Sequence, residues 1–351
     1  MAEVEAHCVA RRPVSDTPAY LNAANCPGLR TAWRYSRSAL QALTAAFEAQ
    51  AAHLPDVVTV AVGGSLGRYE AGAASDVDCI VVVRDGAASA HVEVQNALVH
   101  RLFAESTFKP PKADGIYRQG IARRALLDPA ALGSLDEAPA VFGKRIQLLL
   151  DARPVFGRAG FDALQRDIVA WYCTDFVVAK PTRTWTYLCN DLMRYLHSYA
   201  GWQQFKFERG TDDSWQLRQA KFRTSRLLTF AATMYLLGES DGLPDKVSWL
   251  QSQLADTPLQ RLYTVMQRHD AAAYAQLLAA YEAAFALLVQ PELRAALVAS
   301  GPDAATRMRA ELHPVYEQIR EHSAALSRIL TEFALTRRAQ WGARFFERWL
   351  F

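Results

Sequence analysis

Two short β-branched runs joined through a glycine turn constrain this chain more than any other feature. Val57-Val58-Thr59-Val60-Ala61-Val62 stops at Gly63-Gly64, and Cys79-Ile80-Val81-Val82-Val83 stops at Asp85-Gly86. Runs of this length, bounded by turn residues and without polar alternation, predict two strands of a sheet covered on both faces. Trp33, Leu40, Leu43, Phe47 and Ala51 recur at helical spacing before the breaker Pro55, which predicts a helix from Thr31. A second helix is expected over 89–103, stopped by Pro110-Pro111. A third, less apolar strand is expected over 113–121, nearer a sheet edge.

Beyond about Asp162 the strand signals fade, and apolar residues recur every three to four positions almost to the end. Trp185, Leu188, Leu192, Tyr195, Tyr199 and Trp202 form one stripe, and Tyr274, Leu278, Tyr281, Phe285 and Leu288 form another. The 351 residues therefore divide into a loose, breaker-rich lead-in over 1–30, a unit of sheet and helices over 31–160, and an all-α bundle over 161–351. The fold class is α+β. The C-terminal Trp341, Phe345 and Trp349, spaced by four among Arg337, Arg338, Arg344 and Arg348, form one helical stripe. That stripe is expected to dock on the bundle or on a second copy in a homodimer, in preference to RNA.

With 39 basic and 36 acidic residues the net charge is only +3, which excludes a uniformly basic nucleic-acid coat or an acidic tail. Cys8, Cys26, Cys79, Cys173 and Cys189 are odd in number and contain no CxxC, against a disulfide framework or a four-thiolate zinc site. A reducing cytoplasm is the expected setting. The N-terminus has no apolar run of the signal-peptide kind, and the longest uncharged apolar stretch is read at Leu227 to Leu237, too short to span a bilayer. No membrane association is expected.

The chemistry concentrates in Gly63-Gly64-Ser65-Leu66-Gly67-Arg68-Tyr69-Glu70, followed by Ser75-Asp76-Val77-Asp78. Glycines let backbone N–H groups crowd around an anion and Ser65 adds a hydroxyl, so this turn can cradle phosphate, with Arg68 within reach. Asp76 and Asp78, two apart on a strand, project to one face while Val77 points into the core. Paired carboxylates facing a phosphate suit a hard cation such as Mg²⁺, with Mn²⁺ the alternative. A P-loop is excluded, because Gly143-Lys144 is followed by Arg145 and lacks the upstream glycine. A dinucleotide-binding turn is excluded by the glycine spacing and by the strand that follows.

Gly64-Ser65, ten residues, then Asp76-Val77-Asp78 resembles the signature of the DNA polymerase beta-like nucleotidyltransferase superfamily. The fuller string GGSLGRYEAGAASDVD is similar to the variant in the protein-PII uridylyltransferase and glutamine-synthetase adenylyltransferase families. Leu148-Leu149-Leu150-Asp151-Ala152-Arg153-Pro154-Val155-Phe156-Gly157 looks like the short helix and turn that close the domain in uridylyltransferase-like proteins. Together the two matches cover residues 55 to 160. The resemblance implies a small mixed-sheet catalytic domain that transfers a nucleoside monophosphate from an NTP to an acceptor with release of pyrophosphate. It implies that Gly64 and Ser65 hold phosphates and that Asp76 and Asp78 hold two Mg²⁺ ions. It also implies a third carboxylate, for which Asp114 is the candidate as ligand or base, with Asp85 and Asp128 as substitutes.

Tyr69 stands where many superfamily members carry a small residue, and would narrow the cradle or stack on a nucleotide. The cluster Lys206, Arg209, Arg218, Lys221, Arg223 and Arg226 around Trp215 reads as a solvated helix face or as a binding surface for triphosphate or an acidic acceptor. His269-Asp270 lacks the companion histidines of a metal-dependent phosphohydrolase and reads as structural. A protein hydroxyl is the favoured acceptor, then a small molecule or an RNA 3′ end; nucleic acid is not favoured as a partner. The competing class is a catalytically silent nucleotide-binding or regulatory protein, and a third is a toxin- or antitoxin-type nucleotidyltransferase.

Overall fold

The computed structural model describes residues 17–351 except 74, 107, 109–116, 132, 133, 135, 174–184, 209–213, 241, 242, 299–312 and 351. The chain is mostly helical, with one small mixed four-stranded sheet. Strands β1 (Val57–Gly63), β2 (Asp78–Val83), β3 (Ile121–Ala122) and β4 (Arg153–Phe156) lie in the order β3-β2-β1-β4. β1 is antiparallel to both β2 and β4, and β2 is parallel to β3.

The continuously apolar strands are covered on both faces, and successive residues divide between two clusters. Val60, Val62, Cys79, Val81 and Val83 pack with Leu40, Leu43 and Phe47 of helix α1 (Pro27–Ala49) and with Val99 and Phe103 further along the chain. Ala61, Ile80 and Val82 join the other cluster with Ile146 and Leu149 of a helix at 139–150 and Ile168 of one at 158–172. Between β1 and β2 the chain makes a single helical turn, α2 (Gly64–Gly67). Helix α3 (Ser89–Ala104) follows β2, and α4 (Pro139–Leu150) and α5 (Arg158–Tyr172) flank β4.

Three sequence expectations change here. Within 1–30, the described residues from 17 onward are packed, with Tyr20, Leu21 and Cys26 buried. Pro27 opens α1, because its fixed φ suits a first helical turn and its missing N–H has no partner to lose there. Glu282 caps that end, accepting from the Gly28 and Leu29 amides at 2.7 and 3.0 Å. Of the strand expected over 113–121 only Ile121 lies in β3, while Tyr117 to Gln119 bend and 113–116 lie outside the described residues. The segment expected to close the domain as a short helix and turn does end a helix at Leu150 and turn at Asp151, but it then continues as an edge strand, β4, where Pro154 is tolerated.

The later helices are α6 (Thr186–Glu208), α7 (Trp215–Lys221), a π-helical turn at Phe222–Arg226, α8 (Leu227–Glu239), α9 (Lys246–Leu254), α10 (Pro258–His269), α11 (Ala271–Leu288), α12 (Pro291–Ala296) and α13 (Pro314–Thr336). One cluster of buried side chains runs from Tyr20 across one sheet face to Phe346, so the parts expected over 31–160 and 161–351 share a core. α11, not the stretch at Leu227 to Leu237, is the one described helix long and apolar enough to cross a membrane. Its Tyr274, Leu277, Leu278, Tyr281 and Phe285 are buried in the shared core, and its Glu282 is the α1 cap. Asp270, of the His269-Asp270 pair, caps α11 by accepting from the Ala273 amide at 2.9 Å.

The C-terminal helices α14 (Arg338–Trp341) and α15 (Ala343–Leu350) fold back on this chain's own bundle. Trp341 is buried against α8, where a Cβ on Gly238 would lie 2.5 Å from its ring, and its Nε1 donates to Glu239 at 2.8 Å. Trp341→Ala therefore removes a filled volume and one hydrogen bond to Glu239, which keeps Arg268, His269 and Arg337 as partners, at an expected loss of about 3–5 kcal/mol. Urea unfolding checks this: a midpoint close to wild type would contradict the docking.

Candidate functional site

The β1–β2 register pairs Gly63 with Asp78, which sets the second carboxylate directly beside the glycine turn. Gly64 adopts φ +65, a left-handed conformation that favours glycine. A Cβ there would stand 2.7 Å from Asp78 Oδ2, so the missing side chain opens the space in front of that carboxylate. Val77 is 2% exposed, whereas Asp76 is exposed and Asp78 partly so, as strand alternation predicts. The half-buried Ser65 makes no side-chain hydrogen bond among the described residues, which leaves its hydroxyl available at the turn.

The floor beneath the turn is polar. A Cβ on Gly63 would meet Gln147 Nε2 at 2.3 Å and Asp151 Oδ1 at 3.2 Å, and one on Gly67 would meet the Asp151 carbonyl at 2.1 Å. Arg68 turns away from the cradle into this floor. Its Nε donates to Glu70 at 2.6 Å and its second donor to Asp151 Oδ2 at 2.7 Å. Burial raises the Glu70 carboxyl and Arg68 pulls it back, with the Tyr281 hydroxyl also facing it. Asp151 Oδ1 and Gln147 Oε1 are buried without a partner among the described residues.

Tyr69, partly buried at φ 64, packs beside Trp33, ring centroids 6.2 Å apart, with the Arg153 guanidinium 5.2 Å from its ring centroid. Arg153 also donates to the Gly67 carbonyl at 3.0 Å and the Ala255 carbonyl at 2.7 Å, linking the turn to the helices after α9.

Burial pushes the Asp78 carboxyl up to about 6; Asp76 and Asp151 add to the rise, and Arg226 and Arg68 oppose it. Arg226 belongs to the π-helical turn and sits 3.8 Å over the Tyr199 ring. Burial also pushes Lys221 down to about 8; Arg294 acts in the same direction and Asp76 against it. Two cations of the predicted basic cluster, Lys221 and Arg226, thus act electrostatically on Asp76 and Asp78, and burial raises the hydroxyls of Tyr117 and Tyr195. Of the rest of that cluster, Arg218 bonds Ser214 at 2.8 Å, Arg223 is exposed, Arg209 lies outside the described residues, and the Lys206 side chain is not described. A cavity of about 500 Å³ is lined by Leu196, Phe222, Arg223, Leu227, Glu317 and Ala324 among others, and neither Asp76 nor Asp78 lines it.

None of the three comparisons, with models of protein families, curated proteins and solved structures, found a match. The chemistry of the site therefore rests on the arrangement of its own residues.

Asp114 lies outside the described residues. Its two substitutes are engaged elsewhere: Asp85 accepts from the Arg124 amide at 2.8 Å and Asp128 from the Ala130 amide at 3.0 Å. Among the described residues no group of three His, Cys, Asp or Glu side chains is clustered as a metal cage. Asp76 and Asp78 offer oxygen donors only, an open approach past Gly64 and mutual repulsion that a cation would relieve, which fits a hard divalent ion sharing its shell with phosphate and water. Sequence reasoning missed Asp151, Gln147, Tyr117, Tyr195 and Arg294, because their place at the site depends on how distant segments pack. The signal available was Asp151 itself, a lone acid ending the apolar run Leu148-Leu149-Leu150.

The raised Asp78 value has a direct consequence for stability. Its ordinary value is 3.8, so ionising it costs the folded state as pH rises through about 6, and the cost is absent below the ordinary value. Asp78→Asn is expected to unfold at higher denaturant than wild type at pH 7.5, by about 1–2 kcal/mol after screening by the partly exposed surroundings. That gain disappears at pH 4. Paired urea titrations at the two pH values check it, and equal differences at both would contradict the burial of a charged Asp78.

Proposed function

We propose that this chain is a Mg²⁺-dependent nucleotidyltransferase, moving a nucleoside monophosphate from an NTP to an acceptor with release of pyrophosphate. The observation that supports the reading is the pairing of Gly63 with Asp78 behind a left-handed Gly64, which keeps space clear between a glycine turn and the Asp78 carboxylate. The Gly63 and Gly64 backbone and the Ser65 hydroxyl would hold phosphate oxygens, and Asp76 and Asp78 would hold the divalent ion, Mg²⁺ or Mn²⁺. That ion, when bound, neutralises charge that develops on the reacting and leaving oxygens. Asp114 is proposed as third ligand or as the base that takes the acceptor's proton. Arg68 acts as a positioning residue through Glu70 and Asp151 rather than as a phosphate ligand. The favoured acceptor is a protein hydroxyl, and the proposed setting is the cytoplasm.

The second reading is a catalytically silent nucleotide-binding protein. It requires the phosphate cradle but not the third acidic ligand for which Asp114 is the candidate. Incubation with each of four α-labelled NTPs, Mg²⁺ and cell lysate separates the two. The transferase reading expects label on an acceptor with one preferred NTP, lost at least a hundredfold in Asp76→Asn. Absence of Asp76-dependent labelling across lysates and metals, with nucleotide still bound, would leave the silent reading standing.

A further inference from the structure

Gly63 leaves a side-chain slot that a residue of another element fills. Residues directly opposite in an antiparallel pair point to the same face, so the missing Gly63 side chain and the Asp78 carboxylate share one face of the sheet. It is the α4 face: Ala61 and Ile80, the pair two residues further along the strands, pack with Ile146 and Leu149. Gln147 also lies on α4, and its Nε2 stands 2.3 Å from where a Gly63 Cβ would be, with its Cδ at 2.9 Å. The Gln147 carboxamide therefore takes the cross-strand position opposite Asp78. Cβ atoms in such positions lie about 5 Å apart, a gap that an amide and a carboxylate span.

This carboxamide is idle in a place where idleness is costly. Gln147 is 5% exposed, yet its Oε1 is buried without a partner and its Nε2 donates to no acceptor among the described residues. The similarly buried Gln95 and Gln165 are both engaged, Gln95 with Asp56 at 2.8 Å and Gln165 with the Leu148 carbonyl at 3.0 Å. A buried amide that lost its bonds to water needs an acceptor in exchange. Asp151 Oδ1 lies 3.2 Å from the same Gly63 position and is itself without a partner among the described residues. One nitrogen of the amide carries two hydrogens, so one serves Asp151 and the other is left for Asp78.

We propose that Gln147 is a positioning residue for Asp78: its Nε2 donates to the Asp78 carboxylate and fixes the direction in which that carboxylate meets a divalent ion. The assignment rests on reading Asp76 and Asp78 as the metal ligands. Hydrogen bonds from neighbouring residues orient ligating carboxylates, and losing one typically weakens metal binding about 10- to 100-fold.

The test reads the contact and its consequence separately. In the ¹⁵N-labelled full chain, the Gln147 side-chain amide signals are assigned by their loss in Gln147→Met. They are expected downfield of free glutamine amides and shifted back toward them in Asp78→Ala. Mn²⁺ affinity with a non-hydrolysable NTP analogue is expected to fall about tenfold or more in Gln147→Met, which keeps the length of the side chain and removes the donor. Gly63→Ala gives a second route that guards against misfolding of Gln147→Met: its methyl displaces the flexible carboxamide and leaves both aspartates in place. It is expected to weaken Mn²⁺ binding as Gln147→Met does, and the double variant no further, because both remove one interaction. Gln147 signals indifferent to Asp78→Ala, Gln147→Met folded with wild-type Mn²⁺ affinity, or additive losses in the double variant would overturn the assignment. Gln147 signals that do respond to Asp78→Ala, in a wild type that binds no Mn²⁺ with nucleotide, support the contact and count against the metal reading alone.

Discussion

A buried arginine holds the candidate site together. Arg68 lies between Glu70, two residues on, and Asp151, at the end of α4, and its side chain is 11% exposed. Either carboxylate left alone in that floor would cost several kcal/mol, so the three charges fix one another's positions. The glycine turn is thereby clamped to the end of α4. Arg261 extends the clamp: buried and pushed down to about 9, it donates to the Leu150 carbonyl at 2.7 Å and the Leu254 carbonyl at 2.8 Å. Arg153 completes it through Gly67 and Ala255. The helical half is therefore part of the site's scaffold, not a separate appendage.

What the sequence made legible was local. β1, β2, the glycine turn and the outward pair Asp76 and Asp78 follow from patterns within about twenty-five residues, where alternation and turn chemistry act without help from distant parts. The apolar stripes of α6 and α11 were equally readable, since buried residues at helical spacing define a face wherever it packs. What stayed hidden depended on tertiary partners. The packed stretch from Thr17 to Arg30 looked loose because its prolines and glycines mark a helix start whose cap, Glu282, lies far along the chain. β4 looked like a turn because a four-residue edge strand containing Pro154 acquires its identity only by pairing with β1. The contacts of Tyr69 with Trp33 and Arg153 were hidden too, because both partners lie far from it in sequence.

Charge placement follows the same logic. The net charge of +3 averages an acidic pair beside the glycine turn and basic residues on the helices from Arg218 to Arg226. The π-helical turn gives up regular α-helical bonding, a local concession of the kind that accompanies function more often than stability, and its Arg226 stacks on Tyr199.

The central claim is that Asp76 and Asp78 are a divalent-metal site completed by nucleotide phosphates. Electron paramagnetic resonance of Mn²⁺ in the presence of a non-hydrolysable NTP analogue tests it most directly, because the ion in a protein–nucleotide complex differs in signal both from free Mn²⁺ and from the Mn²⁺–nucleotide complex alone. The account predicts Mn²⁺ bound to wild type only when nucleotide is present, and lost in the Asp76→Asn, Asp78→Asn double variant. Mn²⁺ that stays free with wild type, or binds the folded double variant equally well, would contradict it.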